Sequence, residues 1–221
     1  MSESFKKPYT PPFPVGGTMR VIGQPKNSPR PQKLIERLVF DKTGREVSDI
    51  IYCRVRNVES PNRAHMTDAG ADFYVPEFDD EFFKEFVVQN PDCYQDIEVK
   101  DKVMTIPPHG SVKIPSGVRV FIVDNSTYLW LDDKSGVAGN KHLKLGANCV
   151  DCGFTGEIIF HLFNFSDKPA EITEGQKLVQ GIQQHYIATN YKEVSVEEFS
   201  KIENTPRGSG MFGSTNDMKG S

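Results

Sequence analysis

From Ile50 onward the chain is cut into short apolar runs, each closed by Gly, Pro, Asn or Asp, and this cadence constrains the fold more than any other feature. The runs are DIIYCRVRNV, VMTI, SVKI, GVRVFIV, YLWL, KLGANCV, EIIFHLFNF and KLVQGIQQHYI. Most have the length and β-branched or aromatic content of strands, and they recur at the spacing of a sandwich or barrel. A hydrophobic share of 37% with 15 Pro and 18 Gly in 221 residues suits such a loop-rich architecture and disfavours a helical bundle.

Two stretches depart from the β pattern. In Asp79 to Val88 (DDEFFKEFVV) the apolar Phe82, Phe83, Phe86 and Val87 fall at helical spacing behind an Asp suited to capping. This predicts a short helix within an insertion of about 77–102. Ser195 and Glu198 form the S-x-x-E of a capping box ahead of a second short helix ending near Ile202. Ahead of the strands, residues 1–31 hold seven Pro and five basic residues against one acidic residue, with no apolar periodicity. Residues 1–45 are therefore expected to form an extended, flexible arm. The β domain is expected over 46–203 and a Gly-rich C-terminal strap over 204–221.

Twenty-six Lys and Arg against 30 Asp and Glu leave a net charge of −4. No general attraction to nucleic acid or to an anionic membrane follows from that balance, and neither is expected as a partner. No apolar run approaches the roughly 18–20 residues of a membrane helix, and MSESFKKPYTPPF lacks the apolar core of a signal peptide. The expected location is cytoplasmic. Cys53, Cys93, Cys149 and Cys152 are too few for a disulfide framework and are read as thiols. The Cys149/Cys152 pair lacks the second pair or the nearby His that a zinc site requires. Among the remaining ring-bearing residues, His161 reads as a strand residue and Trp130 as core.

The chemistry concentrates in NCVDCGFTGE, Asn148 to Glu157. Here an apolar strand ends at Asp151, turns at Cys152 and Gly153, and resumes at Phe154, which predicts a hairpin bearing one carboxylate. Taken alone, Asp151 reads as a turn residue. Four further motifs accompany it: AHMTDAGADF (64–73), DKSGVAG (133–139), EGQKLVQ (174–180) and RGSGMFGST (207–215).

In this order, from Ile50 to Thr215, the five motifs resemble those of the trimeric dUTP pyrophosphatase (dUTPase) family. The resemblance implies an all-β, jelly-roll-like distorted barrel and a homotrimer with active sites shared between subunits. It implies conversion of dUTP and water to dUMP and pyrophosphate with Mg²⁺, which keeps uracil out of DNA and supplies dUMP. Asp151 would activate the attacking water. Asn148, Cys149 and Val150 would read uracil through the strand backbone. Phe154, where the family usually has Tyr, would pack on the deoxyribose and exclude a 2′-hydroxyl.

Lys134, Ser135 and Gly136 match the family's Arg-Ser-Gly at the phosphates, and Gln180 keeps a position that reaches them. Gln176-Lys177 stands where the family has Asp-Arg. Asp72 resembles the carboxylate that holds a water of the Mg²⁺ shell, the metal itself riding on the triphosphate. In the strap, Arg207 would meet the γ-phosphate and Phe212 the base. Ser214 and Thr215 would meet phosphate oxygens, with Gly213 also among the substrate contacts.

Two alternatives accompany this reading. A dCTP deaminase shares the fold but needs a Glu on the strand after the turn, where this chain has His161. A dUTPase-like nucleotide-binding regulatory module acting on a host protein would use its nucleotide site or its extra segments, the arm and the insertion. Those extra segments suit a phage or viral member, whose location would be the host cytoplasm.

Overall fold

A computed structural model describes residues 39–40 and 46–202. A two-stranded ribbon, β1 (Val39–Phe40) with β2 (Glu46–Val47), precedes the main body. One four-stranded sheet contains β3 (Ile50–Arg54), β7 (Ser111–Ile122), β11 (Glu157–Asn164) and β9 (Leu143–Leu145) in the order β3-β7-β11-β9. The other contains β4 (Ala71–Tyr74), β8 (Thr127–Asp133), β10 (Cys149–Val150) and β13 (Lys177–His185) in the order β10-β8-β13-β4. A smaller sheet, β12-β6-β5, is made of β5 (Glu98–Lys100), β6 (Val103–Ile106) and β12 (Ala170–Thr173). The paired strands are antiparallel throughout, and neighbours far apart in sequence give the crossing connections of the expected jelly-roll-like fold.

Alternation drives this packing. Along β11 the residues Ile158, Phe160 and Leu162 are buried while Ile159, His161 and Phe163 face outward. A single core cluster draws on all three sheets, including Phe73, Met104, Ile114, Leu131, Phe160 and Leu178. The runs SVKI and GVRVFIV are one strand, β7, which continues through Pro115 and Gly117. A register shift against β11 falls between the pairs Ile159↔Pro115 and Glu157↔Arg119, so Pro115 sits where the ladder is already irregular and its missing N–H costs little. Gly117 has φ +72, and a Cβ there would meet Val58 Cγ1 at 2.8 Å. Trp130 corrects the sequence reading: it is only partly buried, on the outer side of β8, edge-on to Tyr128.

Helix α1 (Asp80–Gln89) lies where the Phe spacing put it, and the Asp79 side chain accepts from Phe82 N at 2.8 Å. Phe82 and Phe86 are buried. Asn90, also buried, donates to Phe86 O and Lys113 O and accepts from Lys113 N, tying the helix end to β7. Arg56 holds Glu157 through two 2.9 Å bonds and reaches Glu81 O on the same helix. Segment 77–102 thus contributes to the core and, through β5, to a sheet. Helix α3 (Val196–Ile202) opens with reciprocal bonds between Ser195 and Glu198, the predicted capping box. Between these lies α2 (Ser135–Lys141), a seven-residue helix that the composition SGVAGNK conceals, since two Gly in so short a run argue against a helix.

Candidate active site

The expected site residues fall into two groups on the sheet β10-β8-β13-β4. The first is at its β4 and β13 edge. Asp72 is 6% exposed on β4, and both of its carboxylate oxygens are ion-paired: Oδ1 with Lys134 Nζ, Oδ2 with Lys177 Nζ at 2.8 Å. Burial alone would raise the Asp72 carboxyl, but the bonds and charges of the two lysines outweigh it and hold the group below the usual carboxylate range. The same contact pushes the Lys177 ammonium up. In the ladder Gln180 lies between Asp72 and Asp132, and its amide donates to Asp133 O at 3.1 Å.

Lys134 is the residue before α2, and Ser135 and Gly136 form the exposed first turn of that helix. A Cβ added at Gly136 would meet nothing within 4 Å, so this turn is open. Its first N–H groups have no partner inside the helix. The departure Gln176-Lys177 also finds partners: Lys177 takes Asp72, and Gln176 Oε1 accepts from Lys141 Nζ at 3.0 Å and Thr173 N at 3.3 Å. Sequence reasoning missed Lys177 and Lys141 as site residues, because their partners Asp72 and Gln176 lie far from them in sequence.

The second group is on β10, the opposite edge. The local hairpin expected from NCVDCGFTGE is corrected here: β10 pairs with β8, while β11 starts only at Glu157 and pairs with β7 and β9. The turn around Asp151 therefore links two sheets, closed by Phe154 N donating to Asp151 O at 2.9 Å. Asp151 is exposed, Phe154 is 44% exposed, and the Phe154 ring lies so close to Gly156 that a Cβ there would meet Phe154 Cζ at 2.6 Å.

Asn148 and Leu131 bond reciprocally: Leu131 N donates to Asn148 O at 2.7 Å and Asn148 Nδ2 to Leu131 O at 2.6 Å. Cys149 faces Trp130 and Val150 faces Leu129 in the same ladder. Antiparallel pairs alternate between bonded and non-bonded, so the Cys149 N–H and C=O point away from β8 along the open sheet edge. Of the three strand residues expected to read a base, Cys149 alone has its backbone groups there. Arg207, Phe212, Gly213, Ser214 and Thr215 lie outside the described residues.

One chain does not bring the two groups together. Three inter-strand steps of about 4.8 Å separate β10 from β4, roughly 14 Å, and the β10 pairing lies several residues along β8 from Lys134. No group of three or more His, Cys, Asp or Glu side chains among the described residues is arranged to hold a metal ion. The cysteines are free thiols, and no helix among the described residues is long and apolar enough to cross a membrane.

The fold places the chain in the class of all-β, jelly-roll-like proteins, and the comparisons give the family. The dUTPase family profile matches residues 94–216, and the chain belongs to that family. It is 37% identical over 111 residues to a deoxyuridine 5'-triphosphate nucleotidohydrolase of Candida albicans, covering 50% of this chain and 67% of the relative. Against the protein of that name from Debaryomyces hansenii it is 26% identical over 165 residues, covering 75% and 85%. In fold it resembles a Staphylococcus bacteriophage 80alpha dUTPase solved with dUpNHpp, at TM-score 0.56 and 19% identity, covering 76% of this chain and 99% of the phage protein. The phage or viral origin suggested by the extra segments is not borne out, because these sequence relatives are yeast proteins and the phage likeness is one of fold.

Proposed function

We propose that this chain hydrolyses dUTP to dUMP and pyrophosphate, with the Asp151 turn supplying the base and the Asp72–Lys134–Lys177–Gln180 group engaging the phosphates. The observation that carries the reading is the division of labour on one sheet. An exposed carboxylate stands beside an open strand edge, and a lysine pair is assembled at the other edge. The Asp151 carboxylate orients a water and takes its proton as the oxygen attacks phosphorus, and pyrophosphate leaves. The free Cys149 backbone groups offer one donor and one acceptor to the uracil edge, with Asn148 and Val150 fixing the strand on β8. Phe154 presents its ring to the deoxyribose, where a 2′-hydroxyl would collide.

Lys134 and Lys177 supply phosphate charge, joined by Gln180 and by Ser135 and Gly136 of the open turn. Arg207 and Phe212 to Thr215 complete the contacts by the motif match. Because a base and its phosphate cations must reach one short phosphate chain, the roughly 14 Å between the two edges favours sites built from more than one copy. A homotrimer is the assembly we propose. The described residues do not fit a protein-held Mg²⁺: Asp72 is a single carboxylate with both oxygens on lysines. Mg²⁺ is therefore taken as part of the substrate complex, with Asp72 at most accepting from one of its waters. Free thiols agree with a cytoplasmic location.

The deaminase alternative loses support at Glu157. It is the only acid on β11, and its oxygens are held by Arg56 and by Gly117 N at 2.7 Å. The test is incubation with Mg²⁺ and either dUTP or dCTP. Pyrophosphate from dUTP is the expected product; ammonia from dCTP would overturn the reading. Light scattering should give three times the 24.8 kDa chain mass.

A further inference from the structure

Asp151 stands on an exposed turn, where a carboxylate is free to rotate about two side-chain torsions. Cys149 precedes it by two residues, and its Sγ lies 3.7 Å from Asp151 Oδ1, within reach of an S–H···O bond. Among the described residues this thiol is the side-chain donor that the carboxylate has. We propose that the Cys149 side chain is a positioning residue for Asp151, its S–H fixing Oδ1 so that Oδ2 faces the attacking water. The proposal rests on the assignment of Asp151 as the water-activating group, and it concerns the thiol rather than the backbone of Cys149.

The surroundings suit this role. The turn is braced independently: Phe154 N donates to Asp151 O at 2.9 Å, Arg119 Nε donates to Thr155 O at 2.7 Å, and Cys152 Sγ donates to Asn125 O at 3.9 Å. Changing Cys149 therefore leaves the turn backbone anchored. Burial, and then the Asp151 charge, push the Cys149 thiol up, which keeps it a protonated donor at neutral pH. The other titratable or charged groups near the turn include Cys152 within it, Arg119 of β7, whose Nε donates to Thr155 O at 2.7 Å, Tyr186 beyond β13, and Asp124 with His185 beside the loop before β8. The Tyr186 phenol is raised by these neighbours and stays neutral, so it does not compete for charge with Asp151 over the working range.

A carboxylate that loses its one side-chain donor samples more orientations that do not face the water. Cys149→Ala should therefore lower kcat roughly three- to tenfold, the scale of one weak charge-assisted bond, with KM for dUTP little changed. Cys149→Ser keeps a donor and should restore kcat. The measurement is steady-state pyrophosphate release from Mg²⁺·dUTP, giving kcat and KM separately, on wild type, both variants and Asp151→Asn, with melting temperatures as a folding check. Wild-type kcat in Cys149→Ala would overturn the positioning role, and so would an equal loss in Cys149→Ser. An inactive wild type or a fully active Asp151→Asn would instead refute the underlying assignment, and the proposal with it.

Discussion

The two edges of the sheet β10-β8-β13-β4 handle charge in opposite ways. At the β4 edge a buried carboxylate is fully paired, with Lys134 and Lys177 each taking one oxygen. At the β10 edge Asp151 is exposed, in the turn that follows a two-residue strand, with one thiol as its side-chain donor. The paired group is built to hold cations in place before any ligand arrives, since their directions are already fixed by Asp72. The unpaired one is built to keep a basic oxygen available. A base that was itself ion-paired would be a poor proton acceptor, and phosphate cations with no partner would repel each other in the free protein.

The most severe way to break this comparison is to remove the free carboxylate. Asp151→Asn should lose about 10²- to 10⁴-fold in turnover while keeping dUTP affinity and melting temperature, because the residue is exposed and supports little packing. Calorimetric binding of a non-hydrolysable analogue, alongside turnover, checks both halves.

Asp72→Asn tests the other edge, and here stability should respond. Removing one partner from a buried ion pair costs about 3–5 kcal/mol, but Lys134 and Lys177 are 26% and 41% exposed. Solvent screening reduces the expected loss to about 1–2 kcal/mol. The Asp72 carboxyl is held below its ordinary value in the folded protein. Its contribution is therefore fully present above the unfolded value of about 3.9 and is lost as pH falls through the folded one. The melting gap between wild type and Asp72→Asn should be widest at neutral pH and close below about pH 4. A gap that stayed constant with pH would show that the lysine contacts contribute nothing.

Phe154→Ala should narrow the preference for dUTP over UTP by several-fold, on the order of 1 kcal/mol, while Phe154→Tyr preserves it. The ring is 44% exposed, so stability should barely change in either variant. Equal dUTP to UTP ratios in all three proteins would remove Phe154 from the sugar subsite.

The same two edges differ in how legible they were in the sequence. The Phe spacing and Asp79 announced α1, and S-x-x-E announced the start of α3, because caps and helical periodicity are local. Asp151, Phe154 and the strand before them were legible as a motif, yet the local hairpin was wrong. Two short apolar arms around a turn pair with each other by default, and only the distant Trp130 and Leu129 override that default. At the β4 edge Asp72 and Lys134 were each legible, but their mutual contact spans 62 residues, and Lys177 reaches Asp72 only because β13 lies beside β4. Ion pairs made across a jelly-roll crossing leave no spacing to read. Trp130 misled for a related reason: its size suggests burial, whereas strand alternation turned it outward next to buried Leu129 and Leu131.

The smallest expected effect sharpens the comparison instead of breaking it. Lys134 stands where the family usually has Arg, and its ammonium is a point charge already committed to Asp72 Oδ1. A guanidinium presents five N–H donors in a planar fork, enough to keep Asp72 and still meet a phosphate oxygen. Lys134→Arg should therefore lower KM for Mg²⁺·dUTP by about two- to fivefold, since charge-assisted bonds to phosphate are gained without losing the existing pair. kcat should stay unchanged because the proposed base, Asp151, is at the other edge. Melting should move little, as Asp72 remains satisfied. A rise in KM at constant melting temperature would mean that Lys177 and Gln180 leave room only for a compact ammonium, and that this edge has been reshaped around lysine.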